Sequence, residues 1–337
     1  MQGTATSPRR GFEEEFEEKL YGLLMKLSAF PPPLSDAEEF IRECKLPIRY
    51  TFLLTRDVAL YDTLRYTVKA GFILSGGYGI NAVFFDEFER RLSLADLDII
   101  SKDEMSPDYA LEKLNRAVRE ANAVFTVELS QREKVSIGYF VLNEKKLKWL
   151  RRRNITSVIP LRRTVLLPVT YGRGMKLEDY LKQKLKTHRE WYRIVKTLRS
   201  LKLSNLKVED VEVDLAVIPE VEYFETEATP LLKKWHKRFK PLTVKAISPH
   251  YAVKYLSTAL NSFIASNEPH NVTKTIIDLR VAKKVNLVEN IKPLIERALR
   301  IPEVREEYES GREAWRFALL KRKYKTIDSL VHSWFNL

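Results

Sequence analysis

The run Asp96-Leu97-Asp98-Ile99-Ile100 constrains this chain more than any other segment. Residues two apart in a β-strand share a face, so Asp96 and Asp98 project together while Leu97 and Ile99 point to the other side. Neighbouring carboxylates repel, and a strand carrying such a pair opposite core residues is costly unless a cation lies between the acids. A hard ion with oxygen ligands, Mg²⁺ or Mn²⁺, suits that position. The plain alternative is an edge strand with its acidic face in water.

Upstream, Phe72-Ile73-Leu74-Ser75-Gly76-Gly77 reads as a strand, Gly71 to Leu74, entering a helix over Gly79 to Leu92 through a serine and two glycines. Glycine lets backbone approach phosphate oxygens closely, and the free amides and dipole of a helix start favour negative charge. The same residues also fit a tight turn with no ligand. A third carboxylate on a neighbouring strand would complete a metal site. Asp214, within Val211-Glu-Val-Asp-Leu-Ala-Val217, is the candidate, with Glu212 on the same face as its substitute. Ser75, Gly76 and Gly77 holding an NTP triphosphate, with Asp96, Asp98 and Asp214 holding metal, make a site for nucleotide transfer by in-line displacement.

Periodicity around these motifs predicts an α/β fold, a mixed sheet flanked by helices with a helical C-terminal lobe, and the site motifs make that sheet nucleotidyltransferase-like. Helices are expected at Phe12 to Leu27, from Asp36, at Val58 to Val68, Tyr109 to Glu120, Leu177 to Leu198 and Leu231 to Phe239. A hairpin is expected from Ala123 to Leu129 and Val135 to Leu142, and further strands at Ile155 to Ile159, Thr164 to Val169, Val211 to Val217 and Leu242 to Ala246. Beyond that the pattern is helical to the end. The expected boundary near residue 245 gives a nucleotidyltransferase domain with an N-terminal helical cap and a basic insertion (1–245) and a helical domain (246–337).

Charge is distributed unevenly. Between Asn143 and Leu203 there are 18 Lys and Arg against 4 Asp and Glu, whereas the whole chain carries +13. That block fits a polyanionic partner, with Tyr171, Tyr180, Trp191 and Tyr192 as rings that could stack on bases. It also fits a solvated basic helix. The lone Cys44 excludes an intramolecular disulfide and a cysteine-rich zinc site, and the five His lack ligand spacing. No apolar stretch approaches the roughly 20 residues that span a bilayer, so a cytoplasmic protein without a membrane partner is expected.

The quoted motifs resemble a known family. Phe72-Ile-Leu-Ser-Gly-Gly, then Arg91-Leu-Ser-Leu-Ala-Asp96-Leu-Asp98-Ile, is similar to the AbiEii/MenT-type toxin nucleotidyltransferases of the polymerase-beta-like superfamily. Ser248-Pro-His-Tyr-Ala-Val-Lys254-Tyr-Leu and Lys274-Thr-Ile-Ile-Asp278-Leu resemble that family's lysine helix and its Arg-Asp-x-x-Asp-Leu helix. The stretch from Arg91 to Asp96 holds one extra residue, Lys274 replaces arginine, and Thr275 replaces the first aspartate. The resemblance implies that Lys254 contacts nucleotide phosphates and that Asp278 orients it or assists proton transfer. It also implies an RNA acceptor, a tRNA end in particular, and a cognate antitoxin as protein partner. The alternatives are a non-catalytic nucleic-acid-binding protein on the same scaffold and a transferase that modifies a protein hydroxyl. Trp149, Trp235, Trp315 and Trp334 are expected as buried anchors, and neither His188 nor His236 belongs to a nucleophilic triad.

Overall fold

A computed structural model describes residues 51–92, 96–130, 133–167, 175–184, 206–231 and 240–337, with positions 39, 41–43, 45, 192, 195–196 and 199. The helix expected at Phe12 to Leu27, all but Leu231 of that expected at Leu231 to Phe239, most of those from Asp36 and beyond Lys184, and Tyr171, His188, Trp191, Trp235 and His236 lie outside the described residues.

In chain order the described elements begin with α1 (Thr51–Lys69), β1 (Ile73–Ser75), α2 (Gly76–Phe84), β2 (Asp96–Ser101), α3 (Pro107–Glu120), β3 (Phe125–Ser130), β4 (Glu133–Ile137) and β5 (Phe140–Leu142). They continue with α4 (Glu144–Arg152), β6 (Val158–Leu167), β7 (Met175–Lys176), α5 (Leu177–Lys184), β8 (Lys207–Val217), β9 (Tyr223–Ala228) and β10 (Leu242–Ile247). Five α-helices follow: α6 (Pro249–Ala265), α7 (Pro269–Asp278), α8 (Val288–Leu299), α9 (Pro302–Glu309) and α10 (Ile327–Phe335). No described helix is long and apolar enough to cross a membrane.

Eight described strands form a mixed sheet in the order β5-β6-β8-β2-β1-β10-β9, with β7 paired to β8, and β3 and β4 form a separate hairpin. β2 with β8 and β1 with β10 are parallel, and the remaining pairs are antiparallel.

Alternation along the central strands sends their residues to two different cores. Leu74, Leu97, Ile99, Val211, Val213 and Leu215 face one side, where they pack with Leu60 and Leu64 of α1 and Leu114 and Val118 of α3. α3 starts where the Ser106 side chain accepts a hydrogen bond from the Tyr109 amide and Pro107 occupies the first turn, and it presents a buried stripe of Ala110, Leu114, Ala117 and Val118. On the other side Ile73, Ile100 and Ile247 pack beneath the C-terminal helices, against a core that includes Ala252, Leu256, Ile276 and Ile277. β10 runs through position 245, and α6 begins just after it, capped by Ser248.

Several elements differ from the expectation. The helix after the glycine turn ends at Phe84, because Phe85 is extended and a short 3₁₀ turn covers Glu87–Glu89. The two runs around Pro160 are one strand, β6, whose Arg163 is buried and paired with Asp62 at 2.7 Å. Gly138, at φ +99, separates β4 from β5 and lets the chain leave the hairpin for the main sheet.

Candidate metal and nucleotide site

The strand register assembles the acids. Asp96 pairs with Glu212 and Asp98 with Asp214 across the parallel β2–β8 ladder, while Ser75 pairs with Asp98 across β1–β2. All five side chains therefore belong to the sheet face that also carries Ile73 and Ile100. The C-terminal helices cover that face at Ile73, Ile100 and Ile247, beside the acidic positions. Carboxylate oxygens of Asp96, Asp98 and Asp214 lie within 4.8 Å of one another.

Such proximity raises proton affinity. Burial first, then the charges of Asp96 and Asp214, push the Asp98 carboxyl up to about 7, and burial also raises Asp214 despite its contact with Lys146. The Lys146 Nζ donates to Asp214 Oδ2 at 2.6 Å and to Glu212 Oε2 at 3.2 Å. Asp214 Oδ1 is buried with no hydrogen-bond partner. A buried carboxylate oxygen without a partner is unfavourable, and oxygen ligation of a hard cation would satisfy it. The three aspartates thus fit a divalent metal ion.

The glycine turn abuts this cluster directly. Gly76 sits at φ +63, and a Cβ there would overlap the Asp98 carboxylate; a Cβ on Gly77 would overlap the Arg91 guanidinium. Gly76 is therefore required by close approach and by its backbone conformation, while a side chain at Gly77 would have to displace the end of the Arg91 side chain. α2 begins here with Ser75 at its N-cap, and the serine side chain makes no capping hydrogen bond. The first-turn amides, which have no partner within a helix, face the position where anions bind helix starts.

Asp278 is placed beside the turn by a different contact from the one the resemblance implies. It accepts from Arg91 Nε at 2.8 Å and Arg91 Nη2 at 2.7 Å, and from Asn81 Nδ2 at 2.9 Å. Asn81 also donates to the Gly77 carbonyl and accepts from the Arg91 amide. Burial opposes the Arg91 charge, but Asp278, followed by Asp96 and Asp98, outweighs it and holds the guanidinium above its ordinary value. Lys254 is exposed on α6. Lys274, one turn before Asp278 on α7, is half-buried, and burial, then Arg91 and Arg316, lower its ammonium to about 8.

The basic segment meets the site through α4. Asn143 caps this helix by accepting from the Lys146 amide, which fixes the first turn over the acids. Lys145, Lys148, Arg151 and Arg152 are exposed on the same helix. Trp149, expected as a buried anchor, is instead 46% exposed, with the Arg153 guanidinium 4.1 Å from its ring centroid. α4 packs its apolar side through Leu150, and the tryptophan lies away from it. Trp315 and Trp334 are partly buried and pack against the two cores.

Lys146 and Asn81 escape sequence reasoning, since neither stands out from its helical surroundings. Arg91 lies in a recognisable motif, but its partner Asp278 is 187 positions away. Comparisons with models of known protein families and with characterised proteins returned no match, so the site's own geometry carries the functional reading.

Proposed function

We propose that this chain is a metal-dependent nucleotidyltransferase that joins a nucleotide from an NTP to an RNA end, such as that of a tRNA. The supporting observation is the convergence of Asp96, Asp98 and Asp214, with one Asp214 oxygen buried and unsatisfied, against the turn made by Ser75, Gly76 and Gly77. The three aspartates would hold Mg²⁺ or Mn²⁺, which when bound supplies Lewis-acid polarisation of phosphate and hydroxyl oxygens. The backbone from Ser75 to Gly77 receives phosphate oxygens at the start of α2. Arg91, fixed by Asp278 and Asn81 beside Gly77, provides a preorganised positive charge, and Lys274 stands next to it. Lys254, exposed on the neighbouring helix, is the remaining cation proposed for the nucleotide phosphates.

In the reaction the acceptor hydroxyl oxygen bonds to the α-phosphorus, the bond from that phosphorus to the pyrophosphate oxygen breaks, and the hydroxyl proton leaves to solvent. The exposed basic face of α4, with Trp149, receives the acceptor strand, and residues 143–203 extend that charge. Membership of the AbiEii/MenT-type toxins, with a cognate antitoxin as partner and the cytoplasm as place of action, is the family reading we propose with it. The Trp149 and Arg153 stack, taken alone, favours a second reading, a non-catalytic RNA-binding module.

Incubation with each labelled NTP, Mg²⁺ and total RNA, beside the Asp96→Ala, Asp98→Ala double variant, tests the proposal. Label in RNA that disappears in the variant is expected, and label in protein instead would move the acceptor to a protein hydroxyl. No label with any NTP, together with salt-sensitive RNA binding that survives the substitutions, would leave the binding module.

A further inference from the structure

Lys146 enters the acid cluster from the side away from the glycine turn. Its Nζ lies 2.6 Å from Asp214 Oδ2, 3.2 Å from Glu212 Oε2 and 3.8 Å from Asp96 Oδ2. These partners sit on β8 and on the first residue of β2, whereas Asp98 faces Ser75 and Gly76 on the β1 side. The lysine side chain is only 23% exposed. Its position is set by the Asn143 cap, which anchors the first turn of α4.

We propose that Lys146 is a built-in cation that takes the place of a second metal ion, so that the cluster binds one divalent ion, on the β1 side. The inference rests on the metal site proposed above. Space supports it first. Paired metal ions in phosphoryl-transfer sites stand roughly 3.5–4 Å apart and approach carboxylate oxygens to about 2.1 Å. An ammonium in contact with Asp214, Glu212 and Asp96 already fills that volume on the β8 side. Charge supports it second. Asp96, Asp98, Asp214 and Glu212 bring four negative charges when ionised, and Lys146 with one divalent ion brings three positive, close to balance before any phosphate arrives. The third support is the division of Asp214: Oδ2 is held by Lys146, and the buried Oδ1 remains for a single ion. Lys146 acts through Asp214 and is a positioning residue.

Mn²⁺ binding to the full chain without nucleotide, measured by electron paramagnetic resonance and calorimetry, tests this. The proteins are wild type, Lys146→Met, Lys146→Arg and the Asp96→Ala, Asp98→Ala double variant. Wild type and Lys146→Arg should bind one Mn²⁺. Lys146→Met should bind two, the first at least tenfold more tightly than wild type, and its melting temperature should rise more on adding Mn²⁺. Two ions in wild type, abolished by the double aspartate variant, would overturn the role of Lys146 and leave the metal site standing. One ion in Lys146→Met at unchanged affinity would also overturn it. No binding above the double variant in wild type would overturn both the lysine's role and the metal site beneath it.

Discussion

Asp98→Asn separates what the acid cluster does to folding from what it does for metal. Burial and the neighbouring acids raise the Asp98 carboxyl from 3.8 to about 7. Between those values the folded chain binds more protons at this site than the unfolded chain does. The stability linked to Asp98 protonation is therefore fully present below pH 3.8 and is lost as pH rises through about 7. A displacement of about three pKa units corresponds to roughly 4 kcal/mol at pH 8. The acids titrate together, so this cost belongs to the cluster, and ~4 kcal/mol is an upper bound for Asp98 alone. Asparagine keeps the shape without the charge. In EDTA at pH 8 the variant should melt several degrees above wild type, and the difference should shrink as the pH is lowered to 5. Adding Mn²⁺ should reverse the order, because wild type gains a ligand that asparagine binds poorly. Circular dichroism melts at the two pH values, with and without Mn²⁺, make the measurement. An Asp98→Asn protein less stable than wild type in EDTA at pH 8 would refute the argument that the fold holds this carboxylate against its own charge.

Two further outcomes follow from the same geometry. Asp278→Asn leaves the buried Arg91 guanidinium without its counter-charge and should lower stability in urea by about 3 kcal/mol while Mn²⁺ still binds; a loss under about 1 kcal/mol would contradict the ion pair's role. Gly76→Ala forces a side chain into the Asp98 carboxylate at a left-handed position, and should cost about 2 kcal/mol and weaken Mn²⁺ at least tenfold, with unchanged Mn²⁺ affinity by calorimetry as the opposing result.

Local pattern made part of this site legible. The two-residue period of Asp96 and Asp98 against Leu97 and Ile99 marks both the face and the chemistry, and Val211-Glu-Val-Asp-Leu repeats it. The choice between Glu212 and Asp214 is not local: it depends on the β2–β8 register, which sets Asp214 opposite Asp98 and Glu212 opposite Asp96, at the more exposed end. Lys146 reaches Asp214 across 68 positions, and nothing in Glu-Lys-Lys-Leu-Lys distinguishes the lysine that turns inward. The strand β9, Tyr223–Ala228, is not legible in the sequence because its polar alternation, Glu225 and Glu227, resembles a loop. The single strand β6 reads as two runs because Arg162 and Arg163 interrupt its apolar residues, and the partners that make burial of Arg163 tolerable, Asp62, Thr63 and the Gly138 carbonyl, lie far along the chain. Trp149 shows the opposite limit: a tryptophan in a helical pattern reads as core until the helix is seen to have a single buried residue, Leu150.

The two sides of the Ser75–Gly77 turn carry opposite charge, and this polarity follows from how the sheet face is divided. Toward β8 the face presents Asp98, Asp96, Asp214 and Glu212. Toward the C-terminal helices, α7 brings Lys274 and Asp278, and Asp278 draws Arg91 against Gly77. Lys274 lies within reach of the Arg91 and Arg316 charges, and its lowered ammonium records its burial first and then the repulsion of those two cations. Neither half is balanced alone: the acids carry more negative charge than Lys146 offsets, and Lys274 lies among more positive charge than Glu313 and Asp278 offset. A ligand with a metal at one end and phosphate oxygens at the other would relieve both, lying across the glycines that keep the gap open. A bare dianion would relieve only the α7 side, and a bare divalent cation only the β8 side, so each should bind more weakly than the two together.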